Sequence, residues 1–294
     1  MSATPASGHD HGPLAIICGG GKFPFVVADA AARGGRAVVL FAIKGWADPE
    51  SVARYPHHWA GLGQLGRFFR LAKAAACRDV VIIGTMLRPR LTQIYPDLTT
   101  LFYLPRVARL LRGGDDHLLS GMARIFEENG FKLLGAHQVA PEILVPEGTL
   151  GRHAPTPRDL LDITRGLAIV RAMGSFDIGQ AVVVADQYVL AVEAAEGTDR
   201  MLARVAELRR NGRAPFTGKV GVLVKGPKPH QDRRLDLPSI GLQTVRAAGE
   251  AGLAGLAVEA EGAITADLQE FIAAADAAGL FVVGVPAGTI RGQG

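Results

Sequence analysis

Cysteine is scarce in this chain. Cys18 and Cys77 are the only two among 294 residues, and both fall in segments expected to be buried. A disulfide framework is thereby excluded, and free thiols in a reducing cytoplasm are expected. Aromatic residues make up 6%, too few to form a stacking platform for single-stranded nucleic acid. No apolar run approaches the roughly 18 residues that a membrane-spanning helix needs. A concentrated basic tract is also missing, although the net charge is +4. That mild excess suits small anionic ligands or an anionic membrane surface, and no nucleic-acid partner is expected. Cysteine and histidine nowhere take metal-ligand spacing. A Gly-x-Ser-x-Gly nucleophile elbow and the paired histidines of zinc proteases are absent as well. Residues 1–13 have no apolar core of signal-peptide type and read as a disordered tail; His9 and His11 within it are not read as a metal pair.

What is present is alternation of strand and helix. With 48% hydrophobic residues, 37 glycines and 17 prolines, the chain reads as α/β, long enough for two cores. Residues 14–140 carry strands at 14–18, 37–43 and 80–83, with helices at 24–33, 65–76, 104–112 and 117–128. This is the pattern of a Rossmann-like open parallel sheet covered on both faces. Residues 141–157 hold four prolines (Pro141, Pro146, Pro155 and Pro157) and little periodicity, and read as an interdomain linker. Residues 158–294 read as a mixed α/β domain, with a hairpin turning at Asp186-Gln187.

Several segments carry candidate chemistry. Gly19-Gly20-Gly21 lies between the first strand and the first helix, where helix N–H groups attract anions. It fails as a dinucleotide fingerprint because Pro24 stands where a third glycine is needed. It fails as a P-loop because Phe23 follows Lys22. A nicotinamide-dependent oxidoreductase is disfavoured accordingly. Gly113-Gly-Asp-Asp-His117 reads as a turn plus helix cap, with Asp115 or Asp116 as the capping residue. Gln180, at a strand start, suits a ligand amide or phosphate. Glu193, Glu196, Thr198 and Asp199 cluster around Gly197 and, with Asp236, offer the hard oxygen ligands that Mg²⁺ prefers. The most informative stretch follows the strand at 220–224. Within the twelve residues 225–236 stand Lys225, Lys228, Arg233, Arg234, Asp232 and Asp236, in a loop stiffened by Pro227, Pro229 and Pro238. Such a loop is suited to hold a phosphate ester and a metal ion.

Five segments, taken in order, resemble the LpxI-type UDP-2,3-diacylglucosamine pyrophosphatases of lipid A synthesis. They are Gly19-Gly-Gly-Lys-Phe-Pro24, Gly114-Asp-Asp-His-Leu-Leu119, Phe176-Asp-Ile-Gly-Gln180, the run from Val189 to Leu202, and Lys225 to Gly241. The resemblance implies two α/β domains around a central cleft. It also implies Mg²⁺-dependent hydrolysis of a UDP-linked diacylated glucosamine to UMP and a sugar 1-phosphate, with an essential aspartate falling on Asp236. On that footing Asp236 is expected to align or deprotonate the water, with Asp199 as a second catalytic carboxylate. Asp236, Asp199 and Glu196 are expected to hold the metal. Lys225, Lys228 and Arg233 would neutralise the diphosphate, Thr198 and Gln180 would bind sugar or phosphate oxygens, and Gly19, Gly20 and Gly21 would line the ligand site. A cytoplasmic enzyme visiting the inner-membrane surface follows, with a homodimer as the default assembly. The alternative from another class is a non-catalytic nucleotide-sugar or lipid-binding module.

Overall fold

In a computed structural model of the chain, the described residues are 12–86, 95–110, 115–214, 216–229 and 231–288, without the side chains of 108–110 and 115–120. His9, His11, the Gly113-Gly114 break and the side chains of Asp115 and Asp116 lie outside the described residues. The chain divides into two compact units, Met1–Ala140 and Pro141–Gly294.

The first unit is built on β1 (Leu14–Cys18), β2 (Val38–Ile43), β3 (His57–Ala60), β4 (Asp79–Ile83) and β5 (Lys132–Leu133), in the order β3-β2-β1-β4-β5. Every pairing is parallel, so the Rossmann-like class expected from strand-helix alternation is observed. Central β1 is covered on both faces, which explains its unbroken apolar run. Helix α1 (Phe23–Arg33) starts with Pro24 at its first turn. A short helix, α2 (Pro49–Val52), follows, capped by Asp48. Helix α3 (Leu65–Ala74) buries Phe68 and Phe69 in a cluster with Phe41, Phe126 and Phe131. Helices α4 (Leu98–Leu110), α5 (Asp115–Glu128) and α6 (Ala136–Val139) complete the unit.

In the second unit the strand order is β6-β11-β10-β9-β7-β8. Strands β9 (Val222–Lys225), β10 (Gly255–Glu259) and β11 (Phe281–Val285) are parallel. β7 (Ala181–Ala185) and β8 (Tyr188–Val192) form the expected hairpin, and β7 pairs antiparallel with β9. Its turn residues Asp186 and Gln187 both have positive φ, 53° and 63°. The buried Asp162 carboxylate accepts from both of their N–H groups, at 2.9 and 2.6 Å. That side chain comes from α7 (Pro157–Gly174), which packs on one face of the sheet through Ile163, Leu167 and Val170. Helices α8 (Thr198–Arg210), α9 (Leu242–Glu250) and α10 (Leu268–Ala277) cover the other face.

The stretch 141–157, expected to be a linker, is built into this unit. It holds a 3-10 turn at Pro141–Ile143 and β6 (Gly148–Leu150), which pairs antiparallel with β11. Val145 is fully buried, and its N–H donates to Ala263 O. A three-residue edge strand shows no periodicity, and an edge tolerates neighbouring prolines, so composition alone reads as linker.

Glycines hold together the ends of β1 and β4. Gly20 and Thr85 exchange two backbone hydrogen bonds of 2.9 and 2.8 Å, and a Cβ on Gly84 would lie 2.8 Å from the Gly19 backbone. Gly84 also has φ of +109°, a conformation that a β-carbon resists. Gly84→Ala is therefore expected to destabilise the first unit by about 2–4 kcal/mol. Denaturant unfolding checks this; an unchanged midpoint would show that the strand ends part freely.

Candidate functional site

Strand β9 carries Lys225 as its last residue and delivers the ammonium into the protein. Lys225 is 5% exposed. Its Nζ donates to Thr198 Oγ1 at 2.9 Å and to Ser239 O at 3.0 Å. Thr198 opens α8, after Gly197 has turned the chain with φ of +81°. Its hydroxyl passes the interaction on, donating to Glu193 Oε1 at 2.8 Å. Glu193 Oε2 in turn accepts from Gln180 N at 3.3 Å. Thr198 uses its single donor on the carboxylate and a lone pair on the lysine, as a hydroxyl between opposite charges should. Burial pushes Lys225 below the usual lysine value, while Glu193, Asp199 and Asp236 pull it back up. Three carboxylates thus favour the charge of one enclosed cation, at the C-terminal end of a parallel strand where α/β sheets hold ligands.

The loop from Gly226 to Gly241 is fastened from several sides. Gly226 N donates to Gln180 O at 3.1 Å. The carboxamide of Gln231 brackets the turn, accepting from Lys228 N at 3.1 Å and donating to Asp236 Oδ2. Lys228 pairs with Asp177. Arg234 closes on Asp232 at 2.8 and 3.0 Å, and its hydrogen bonds hold the Asp232 carboxyl below the usual carboxylate range. Arg233 is exposed and donates to Glu261 O. Asp236 is half-buried and Asp199 exposed.

Residues 13–143 match the LpxI N-terminal domain and residues 146–283 the LpxI C-terminal domain. A curated relative, the UDP-2,3-diacylglucosamine pyrophosphatase LpxI of Caulobacter vibrioides, is 43% identical over 272 residues. The alignment covers 92% of this chain and 97% of the relative. The chain belongs to the LpxI family. Among solved structures, the biotin carboxylase domain of Hydrogenobacter thermophilus 2-oxoglutarate carboxylase, bound to MgADP, ADP and bicarbonate, aligns at a TM-score of 0.24 and 14% identity. It covers 69% of this chain and 41% of that one, a likeness too slight to bear on fold or ligand.

Of the five segments by which the sequence resembles the LpxI family, three meet at Lys225. The Phe176–Gln180 segment supplies Gln180, whose N–H donates to Glu193, and Asp177, which pairs with Lys228 of the charged loop; the run ending at Leu202 supplies Glu193 and Thr198, and the charged loop supplies Lys225 itself. Gly179 lies so close to Glu193 that a Cβ there would stand 2.2 Å from Glu193 O, which accounts for the glycine. Gly19, Gly20 and Gly21 belong to the first unit, where the first two are fixed against Gly84 and Thr85.

Other expectations shift. Lys225, expected at the diphosphate, is instead enclosed, its ammonium committed to Thr198 and Ser239. Glu196 is expected beside Asp199 and Asp236 as a metal ligand. Its carboxylate instead binds Arg204 at 2.8 Å and accepts from Ala194 N at 3.2 Å. Among the described residues no three His, Cys, Asp or Glu side chains come together as a metal cage. Gln180 Oε1 is buried without a hydrogen-bond partner. As an acceptor it calls for a hydroxyl, N–H or cation and not for a bare phosphate oxygen. Sequence reasoning missed Gln231, Asp177 and the carbonyl of Ser239, since no spacing rule marks a residue that works by bracing another.

Lys225→Met should orphan the buried Glu193 and destabilise the second unit by about 3–5 kcal/mol. Adding Glu193→Gln should restore a large part of that loss. Denaturant unfolding of the single and double variants checks the coupling, and strictly additive losses would disprove it.

Proposed function

We propose that this chain hydrolyses the pyrophosphate bond of UDP-2,3-diacylglucosamine, giving UMP and 2,3-diacylglucosamine 1-phosphate. The observation that carries this reading is the match to a named pyrophosphatase over 97% of that protein's length. The charge arrangement around Lys225 supports it. Diphosphate hydrolysis is slow because anionic oxygens repel the nucleophile, so a catalyst must place the water and offset charge. Asp236 is braced by Gln231 and half-exposed, as a base that meets a water from solvent needs to be. In this reading Asp236 takes a proton from water and the water oxygen bonds to the phosphorus on the sugar side. The bridging oxygen leaves with UMP. Arg233 and Lys228, on the loop outside the buried cation, offset the diphosphate charge. Gln180 accepts from a sugar hydroxyl or amide N–H. The Gly19–Gly21 turn lies at the end of β1, where the sheet order reverses, and is the proposed nucleotide contact of the first unit.

The donor set fits Mg²⁺ as an ion shared with substrate. Mg²⁺ commonly takes one or two carboxylates and completes its shell with water and substrate phosphates; exposed Asp199 and half-buried Asp236 are the carboxylates that would hold it. When bound there, the ion would neutralise phosphate charge as a Lewis acid. No helix of the described residues is long and apolar enough to cross a membrane; from the lipid substrate of the proposed reaction, we place the enzyme in the cytoplasm, meeting that substrate at the inner-membrane surface.

Purified protein with UDP-2,3-diacylglucosamine and Mg²⁺ should release UMP, and a chelator should stop it. Tight binding without release would instead mark a nucleotide-sugar-binding module. Asp236→Asn should lower kcat by about 10²–10⁴-fold with KM little changed. Near-normal turnover would remove Asp236 from the chemistry. In ¹⁸O-water the label should enter the sugar 1-phosphate; label in UMP would reverse the assignment of the attacked phosphorus.

A further inference from the structure

Helix α4 presents itself to the protein the wrong way round. Among its described side chains, the inward ones include Thr100 and Tyr103. Thr100 is 8% exposed, accepts from Leu65 N at 3.1 Å and donates to Gly63 O at 2.5 Å. The Tyr103 hydroxyl accepts from Asn129 Nδ2 at 3.0 Å. The polar groups of the helix thus fasten it to α3 and α5. Its outward stripe is apolar: Leu98, Leu101, Phe102 and Pro105 follow i, i+3, i+4, i+7 spacing. Leu98 is 86% exposed, Phe102 79% and Leu101 46%, and neighbouring Tyr95 is 66% exposed. Burying such a stripe is the usual reason for an amphipathic helix to fold against a core. Here the core takes the polar side, and the hydrophobic one faces outward as a contiguous patch, which marks an interaction surface.

The neighbouring helix indicates what covers it. Helix α3 touches α4 so closely that a Cβ on Gly66 would lie 2.4 Å from Thr99 Oγ1. Along its outer side α3 exposes Arg67, Arg70 and Lys73 and carries no acidic residue. Two carboxylates of the neighbouring elements are engaged elsewhere: Asp97 accepts from Arg67 N and Thr100 N, and Glu128 pairs with Arg106. An apolar, partly aromatic helix stripe beside a row of unopposed cations is the pattern of a helix lying in a bilayer interface. A second copy would bring the same cations against its own. We propose that α4, with the α3 cations as its rim, is the element by which this protein docks on an anionic lipid surface. Its purpose rests on the reading that the substrate is a membrane lipid; its test does not.

That test is flotation of the full-length protein with vesicles of phosphatidylcholine, with and without phosphatidylglycerol, in the absence of substrate. The wild type should float with the anionic vesicles and much less with the neutral ones. Leu98→Ser/Phe102→Ser should reduce partitioning by about tenfold or more. Arg67→Gln/Arg70→Gln should reduce it by about tenfold at low salt and less at high salt. All four side chains are exposed, and a circular-dichroism melt matching the wild type confirms that each variant folds. Absence of wild-type flotation, or undiminished flotation of the Leu98/Phe102 variant, overturns the proposal. Sedimentation then tells whether the stripe joins two copies. A raised KM of that variant on detergent-dispersed substrate, with flotation unchanged, would assign the stripe to acyl chains instead. UMP release by the wild type is read separately, so hydrolysis and docking fail independently.

Discussion

One ammonium group organises the second unit. Lys225 sits at the end of a central parallel strand, where an uncompensated charge would not survive burial. The sequence supplies its neutralisation through a relay of Glu193 and Thr198 and the carbonyl of Ser239. Those contacts bind three separated stretches of chain: the end of β8, the start of α8 and the far end of the charged loop. The loop can hold a carboxylate half in solvent because its roots are fixed inside. Rigidity here comes from electrostatic satisfaction as much as from proline.

The two units solve related problems with different means. In the first, the reversal of strand order leaves the ends of β1 and β4 side by side, and glycine backbones pressed together close the gap without side chains. In the second, the equivalent end of the sheet is filled by charge. Backbone N–H groups are the natural partners of phosphate oxygens, whereas carboxylates and cations are what a metal-assisted displacement uses. Each unit thus offers its own kind of surface at the end of its sheet.

Much of this architecture could be read from residue order. Helix α1 covers residues 23–33 where 24–33 is expected, because Pro24 and Gly34 mark its two ends plainly. β3 went unread, since His57-His-Trp-Ala60 has neither alternation nor a β-branched residue. β6 went unread because three residues flanked by proline look like a tether. In the site, the charged residues were visible as a set, but their allocation was not. Whether a lysine faces inward or outward depends on which partners the fold returns to it from 27 residues away in the case of Thr198 and 14 in the case of Ser239. Glu196 could not be separated from Glu193 by sequence, because Arg204, one face of α8 away, decides it. The inverted face of α4 was equally hidden: its pattern is amphipathic, and pattern alone does not say which side the core will take.

The pairing of β6 with β11 has an architectural corollary. Gly148, near the beginning of the second unit, stands in register with Gly284, near its end, so entrance and exit of this half of the chain are zipped into one ladder. A short bridge between them, with new termini opened at the exposed Asp186-Gln187 turn, would leave every strand neighbour in place. The path of the chain through this sheet can thus be joined end to end, while the sheet itself keeps its open edges at β6 and β8.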